Sequence, residues 1–98
     1  MDDGLKRIAF EVYGKVVQGV GFRKFVERMA NQHRDLTGFV YNTSVGTVKG
    51  QAQGPSISLR RFNDSLKVGS RHSSVDRVAV TYIDIVTDEA TFSILRQH

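Results

Sequence analysis

Ile8, Phe10 and Val12 alternate with Ala9, Glu11 and Tyr13, so one side of this stretch is apolar and the other is not. A period of two predicts a half-buried strand. Gly14 to Gly21 follows with three glycines, the mark of a loop. From Phe22 the period lengthens. Phe22, Phe25, Val26, Met29 and Ala30 fall at i, i+3, i+4, i+7 and i+8, one apolar stripe of a helix running to about Arg34. A second strand is predicted from about Leu36 to Asn42, a turn at Thr43-Ser44-Val45-Gly46, and a third strand from Thr47 to Gln53. In that third strand Val48, Gly50 and Ala52 share a covered face, with the small Gly50 and Ala52 letting a helix approach closely. Thr47, Lys49, Gln51 and Gln53 share a wet face.

Gly54-Pro55 ends the third strand, and Pro55 suits a helix start because its missing N–H costs nothing there. Leu59, Phe62 and Leu66 then set a helical period, closed by Gly69 as the residue after the helix. A polar loop, Ser70 to Ser74, leads to a fourth strand near Arg77 to Val86, and Thr91 to Leu95 is short and β-prone. The order is β-α-β-β-α-β with a short fifth strand. Such an order predicts an α+β, ferredoxin-like two-layer sandwich, an antiparallel sheet covered on one face by two helices.

A length of 98 residues allows one domain, taken as residues 1–98. With no cysteine, neither disulfides nor thiolate metal sites are available. The first residues place acids before any apolar run, unlike a signal peptide, and no run is long enough to span a membrane. The expectation is a cytoplasmic monomer. A net charge of +4 favours an anionic partner without choosing among phosphate, nucleic acid and membrane. Lys24, Arg28, Arg60, Arg61 and Lys67 read as the solvated outer face of the helix layer. His33, His72 and His98 have no ligand spacing, so no metal is expected.

Val17-Gln18-Gly19-Val20-Gly21-Phe22-Arg23 is a glycine-bearing loop opening directly into the first helix. Unpaired N–H groups at a helix N-terminus and its dipole favour an anion, and glycines let the main chain curl around one. Arg23 would close over the same anion with a planar two-pronged donor set. A surface pair with Glu27 at i+4 is the competing use of Arg23, worth only about 0.3–0.5 kcal/mol. Walker-type and dinucleotide patterns are both missing: Lys24 stands where the latter needs its third glycine. Asn42, taken alone, reads as a turn residue before a hairpin.

Gln18-Gly19-Val20-Gly21-Phe22-Arg23, with Gly14 upstream, resembles the first signature of the acylphosphatase family, and Gly38-Phe39-Val40-Tyr41-Asn42-Thr43-Ser44-Val45-Gly46-Thr47-Val48 resembles the second. Gly50 to Pro55 and Val75-Asp76-Arg77 add to a resemblance spanning roughly Ile8 to Phe92. The resemblance implies hydrolysis of acyl phosphates to carboxylate and inorganic phosphate by a cofactor-free, metal-independent enzyme. It implies phosphate, or sulfate in its place, held in the loop Val17, Gln18, Gly19, Val20, Gly21, Phe22 and Arg23, with Arg23 and Asn42 catalytic. One departure is an extra residue in Lys15-Val16-Val17, for which a bulge is the simplest accommodation. Two alternatives stay open. One is a phosphate-binding module of the same family with weakened turnover, supported by that extra residue. The other is an RNA-binding ferredoxin-like domain, opposed by a third strand without aromatic residues. Nucleic-acid and membrane partners are not expected.

Overall fold

The computed structural model describes residues 4–19, 21–32 and 35–96. Its elements are β1 (Leu5–Tyr13), α1 (Phe22–Gln32), β2 (Thr37–Asn42), β3 (Val48–Pro55), α2 (Ser56–Val68), β4 (Arg77–Ile83) and β5 (Phe92–Ile94). They form one sheet in the order β4-β1-β3-β2-β5. Neighbours are antiparallel except β2 and β5, which run parallel and correct the expectation of a wholly antiparallel sheet. The reason is topological. β4 lies at one edge, and the chain then crosses the start of the sheet to add β5 at the far edge, beside and along β2. His33 and Arg34, at the expected end of the first helix, lie outside the described residues.

The period-two face of β1 supplies the core: Ile8, Phe10 and Val12 are all buried, with Val40, Val48 and Ala52 beside them. The helical stripe meets this face through Phe22, Val26, Met29 and Ala30, while Phe25 is half-buried at its margin. Leu59, Phe62 and Leu66 do the same for α2. Phe10 and Phe62 pack edge to face with centroids 5.4 Å apart, an arrangement worth about 0.5–1.5 kcal/mol beyond its buried area. Gly50 makes room for the Phe10 ring, whose Cζ lies 2.6 Å from where a Cβ would stand. The space expected to admit a helix backbone is therefore filled by an aromatic ring. Pro55 closes β3 and precedes the first turn of α2 with φ −61°, and Gly69 ends that helix at φ 79°.

The helix-free face is drier than the alternation of β3 predicts. Lys49 is exposed, but Thr47 and Gln53 are buried. The segment between β4 and β5 lies over this face, where Gln53 exchanges two hydrogen bonds with the Val86 backbone, both 2.9 Å. Beneath it sits Arg7, 2% exposed. Its guanidinium donates to Gln51 (2.8 Å), Gln53 (3.1 Å) and both oxygens of Glu89 (2.8 and 3.1 Å). These bonds from Arg7, and one from the Thr37 hydroxyl, hold the Glu89 carboxyl below its usual range against the opposing effect of burial.

Between β1 and the segment before β4 the chain bends at Lys15, and the Asp76 N–H donates to the Tyr13 carbonyl at 2.7 Å. Tyr13 pairs with Arg77, and three residues further along both segments Val16 pairs with Ser74. The Ser74 N–H donates to the Val16 carbonyl at 2.8 Å. The extra residue in Lys15–Val17 thus falls at this bend, between two pairings that share one register.

Candidate active site

β1, β2 and β5 all point their C-terminal ends toward one end of the sheet, and the loop 14–21 leaves β1 there. Gly19 and Gly21 have φ of 75° and 74°, a left-handed conformation that costs an L-residue about 1–2 kcal/mol. A Cβ at either position would meet nothing within 4 Å, so the demand is conformational and not one of space. Turns of this kind draw successive N–H groups toward a common point. The Gly21 carbonyl accepts the Phe25 N–H at 3.0 Å, which makes Gly21 the cap of α1. Phe22, Arg23 and Lys24 therefore begin the helix with N–H groups that no helical carbonyl satisfies. Gly21 has no side chain to cap them, and the first turn contains no acid. The positive end of the dipole is left open to an outside anion.

A cleft of about 90 Å³ lies at this end, lined by Val17, Gly19, Gly21, Phe22, Arg23, Lys24, Asn42, Ile94 and Arg96. It gathers most of the residues singled out from sequence. Arg23 is half-buried and has no ion pair or hydrogen bond among the described residues. The competing surface pair does not form: Glu27 is taken by Lys24, at 3.8 Å. Asn42 ends β2, paired with Val48, and its Oδ1 is buried without a hydrogen-bond partner. A buried carboxamide left unsatisfied in a protein is unusual and calls for a function or a bound water. A larger hollow of about 520 Å³ between α1 and α2 contains none of the expected site residues.

Two members of the loop stand apart. Val20 lies outside the described residues. Gln18 does not line the cleft. Its Nε2 donates to the carbonyls of Thr43 (2.9 Å) and Thr47 (2.8 Å), lacing the loop to the β2–β3 turn. That turn is itself anchored to β1. The Thr47 hydroxyl donates to Glu11 at 2.7 Å, so the Thr43 hydroxyl, 2.7 Å from it, donates to Thr47. The Tyr13 hydroxyl holds the other Glu11 oxygen at 2.8 Å. The bond from Thr47, then that from Tyr13, keep the Glu11 carboxyl below its usual range and hence ionised at neutral pH. Loop, turn and strand end are thus fixed relative to one another.

The cleft also contains residues that sequence reasoning did not reach. Lys24, assigned to the outer helix face, borders it, and Ile94 and Arg96 enter from the last strand. The signal for Arg96 is a register. Val40 pairs with Ile94 at the end of the parallel β2–β5 ladder, and Asn42 and Arg96 each follow two residues after that pair. No local pattern marks that pairing.

The fold is ferredoxin-like, and its cleft joins an open helix terminus to uncommitted arginine and asparagine side chains. Residues 8–94 match the acylphosphatase family model, and the chain belongs to the acylphosphatase family. An acylphosphatase of Geobacillus thermodenitrificans is 40% identical over 91 residues, covering 93% of this chain and 95% of the relative. Acylphosphatase-2 of Rattus norvegicus is 47% identical over 78 residues, covering 79% of this chain and 78% of the relative. The crystal structure of acylphosphatase from Bacillus subtilis aligns with a TM-score of 0.85 at 38% identity, over 95% of this chain and all of that one (100%). These likenesses support a hydrolase with acylphosphatase function.

Proposed function

We propose that this chain hydrolyses acyl phosphates by binding the phosphoryl group in the curled loop and at Arg23 while Asn42 aims the attacking water. One observation carries the reading. Arg23 and Asn42 come from different elements, neither side chain has a partner among the described residues, and both line one small cleft at an uncapped helix N-terminus. In the reaction, the water oxygen forms a bond to phosphorus as the bond from phosphorus to the acyl oxygen breaks. The electron pair leaves on the carboxylate, and the water's protons end on inorganic phosphate and solvent. A carboxylate whose acid has a pKa of about 4 departs unprotonated, so no general acid is needed. What the protein supplies is charge stabilisation of the phosphoryl oxygens by preorganised N–H groups and a guanidinium. Asn42 is no base; its amide orients the water by hydrogen bonding.

In this reading Val17, Gly19, Val20, Gly21 and Phe22 offer main-chain contacts, and Gln18 contributes by bracing the loop. The reading includes one domain over residues 1–98, acting as a cytoplasmic monomer without a cofactor. It includes no nucleic-acid partner, in keeping with the occupied aromatic rings of the helix-free face. Arg77 stands 3.8 Å over the Tyr13 ring and Arg7 5.9 Å over Phe39. The test is hydrolysis of benzoyl phosphate compared with p-nitrophenyl phosphate, with and without EDTA. Benzoyl phosphate should be strongly preferred and EDTA without effect. Asn42→Ala should lower kcat about 100-fold or more with phosphate binding kept, and Arg23→Gln should damage both. Near-native turnover in Asn42→Ala would refute its role.

A further inference from the structure

We propose that Arg96 is a second guanidinium clamp on the bound phosphoryl group, an inference that rests on reading the cleft as a phosphoryl site. The geometry begins with β5. It runs parallel to β2 with Val40 opposite Ile94, and the Leu95 N–H donates to the Val40 carbonyl at 2.8 Å. Asn42 and Arg96 each follow two residues after that pair, and both line the cleft. At about 90 Å³ the cleft is of the size of a few water molecules, room for one phosphoryl group and little else. Two arginines lining so small a space can reach the same anion.

Charge gives the second argument. A phosphate group carries about −1.5 to −2 near neutral pH. Arg23 supplies one positive charge, and the helix N-terminus about half of one. Together they fall about half a charge short of a full dianion. Lys24 borders the cleft, but its ammonium lies 3.8 Å from Glu27 and its side chain is 67% exposed, so much of its charge is committed elsewhere. Arg96 has no ion-pair partner among the described residues. Among the described residues, no acidic one lines the cleft. Two like charges without ion-pair partners beside one small hollow repel each other until an anion enters, which favours its binding.

Phosphate binding reads this without turnover. Inorganic phosphate is titrated into the ¹⁵N-labelled full chain, and the amides of Gly19 and Gly21 report its affinity. Arg96→Gln should weaken binding about fivefold at low salt, the scale of a partly exposed charge pair, and Arg96→Lys should restore most of it. Arg61→Gln removes the same charge from the exposed face of α2 and should leave the affinity unchanged. An unaltered affinity in Arg96→Gln would overturn the proposal. So would an equal loss in Arg61→Gln, because net charge alone would then explain the effect. Benzoyl phosphate turnover by the native chain is a separate readout. Its absence would end the hydrolase reading, while the phosphate titration would still decide the role of Arg96.

Discussion

Replacing Gln18 by alanine asks whether this side chain shapes the loop or touches the anion. The bonds from its Nε2 to the carbonyls of Thr43 and Thr47, 2.9 and 2.8 Å, are what truncation removes. Each hydrogen bond is worth about 1 kcal/mol net. No large desolvation penalty should add to this, because Gln18 is half-buried and the Thr47 carbonyl keeps the Thr43 N–H at 2.9 Å. The expected loss is therefore about 2 kcal/mol, or roughly 8–16 °C in Tm for a domain of this size. Activity should suffer as well, because the loop would no longer be tied to the turn that follows Asn42. A displacement of about 1 Å at a reacting centre can cost on the order of 100-fold, so kcat/KM for benzoyl phosphate should fall at least about tenfold. Gln18→Glu is the sharper variant. A carboxylate only accepts hydrogen bonds, would face two carbonyl oxygens, and would set a negative charge beside the anion cleft. It should cut phosphate affinity more than alanine does. Thermal unfolding by circular dichroism and turnover are measured on the same preparations. A Gln18→Ala protein with native Tm and native kcat/KM would refute the brace. Native Tm with lost phosphate affinity would show that the side chain contacts the anion.

Two further outcomes concern the other end of the sheet. Arg7→Leu leaves Glu89, Gln51 and Gln53 beneath the β4–β5 segment without their shared donor, and should cost about 3–5 kcal/mol by urea unfolding. KM for benzoyl phosphate should not change, because Arg7 lies near the start of β1 and the cleft beyond its end. Acid sensitivity follows from Glu89, whose folded pKa lies below its ordinary unfolded value of about 4.3. Its stabilisation is complete above that unfolded value and is lost as pH falls through the lower folded one. Urea midpoints from pH 7 to pH 3 should drop below about pH 4.3, and less steeply in Arg7→Leu, where the lowering of the Glu89 pKa by Arg7 is gone.

Periodicity was a sufficient guide to the elements because each has a clean local signature. The period-two run at Ile8, the stripe from Phe22 and the Pro55–Gly69 bracket all coincide with observed elements. The glycine loop and Arg23 were legible for the same reason: helix start, glycines and cation are contiguous. Asn42 was legible only through family resemblance, since an asparagine before a turn has a simpler local explanation. What escaped depends on contacts between distant segments. Gln18 reaches carbonyls 25 and 29 residues away, and Arg7 finds Glu89 82 residues away. Arg7 is buried because a later segment folds over it, and nothing in its neighbourhood distinguishes it from an exposed strand arginine. Arg96 needed the parallel register of β5, which a three-residue strand does not announce.

The placement of β5 bears on how the protein comes into being. Its three residues complete the sheet edge beside β2, yet they follow every other described element, so synthesis reaches them after the glycine loop and both helices. A ribosome adding about 5–20 residues per second holds them in its tunnel after the helices and the first strands have emerged. A nascent chain can therefore display the glycine loop while the wall that faces it is still being made. Competence for phosphate would be gained once β5 joins the sheet, in one step, rather than accumulating with each earlier element.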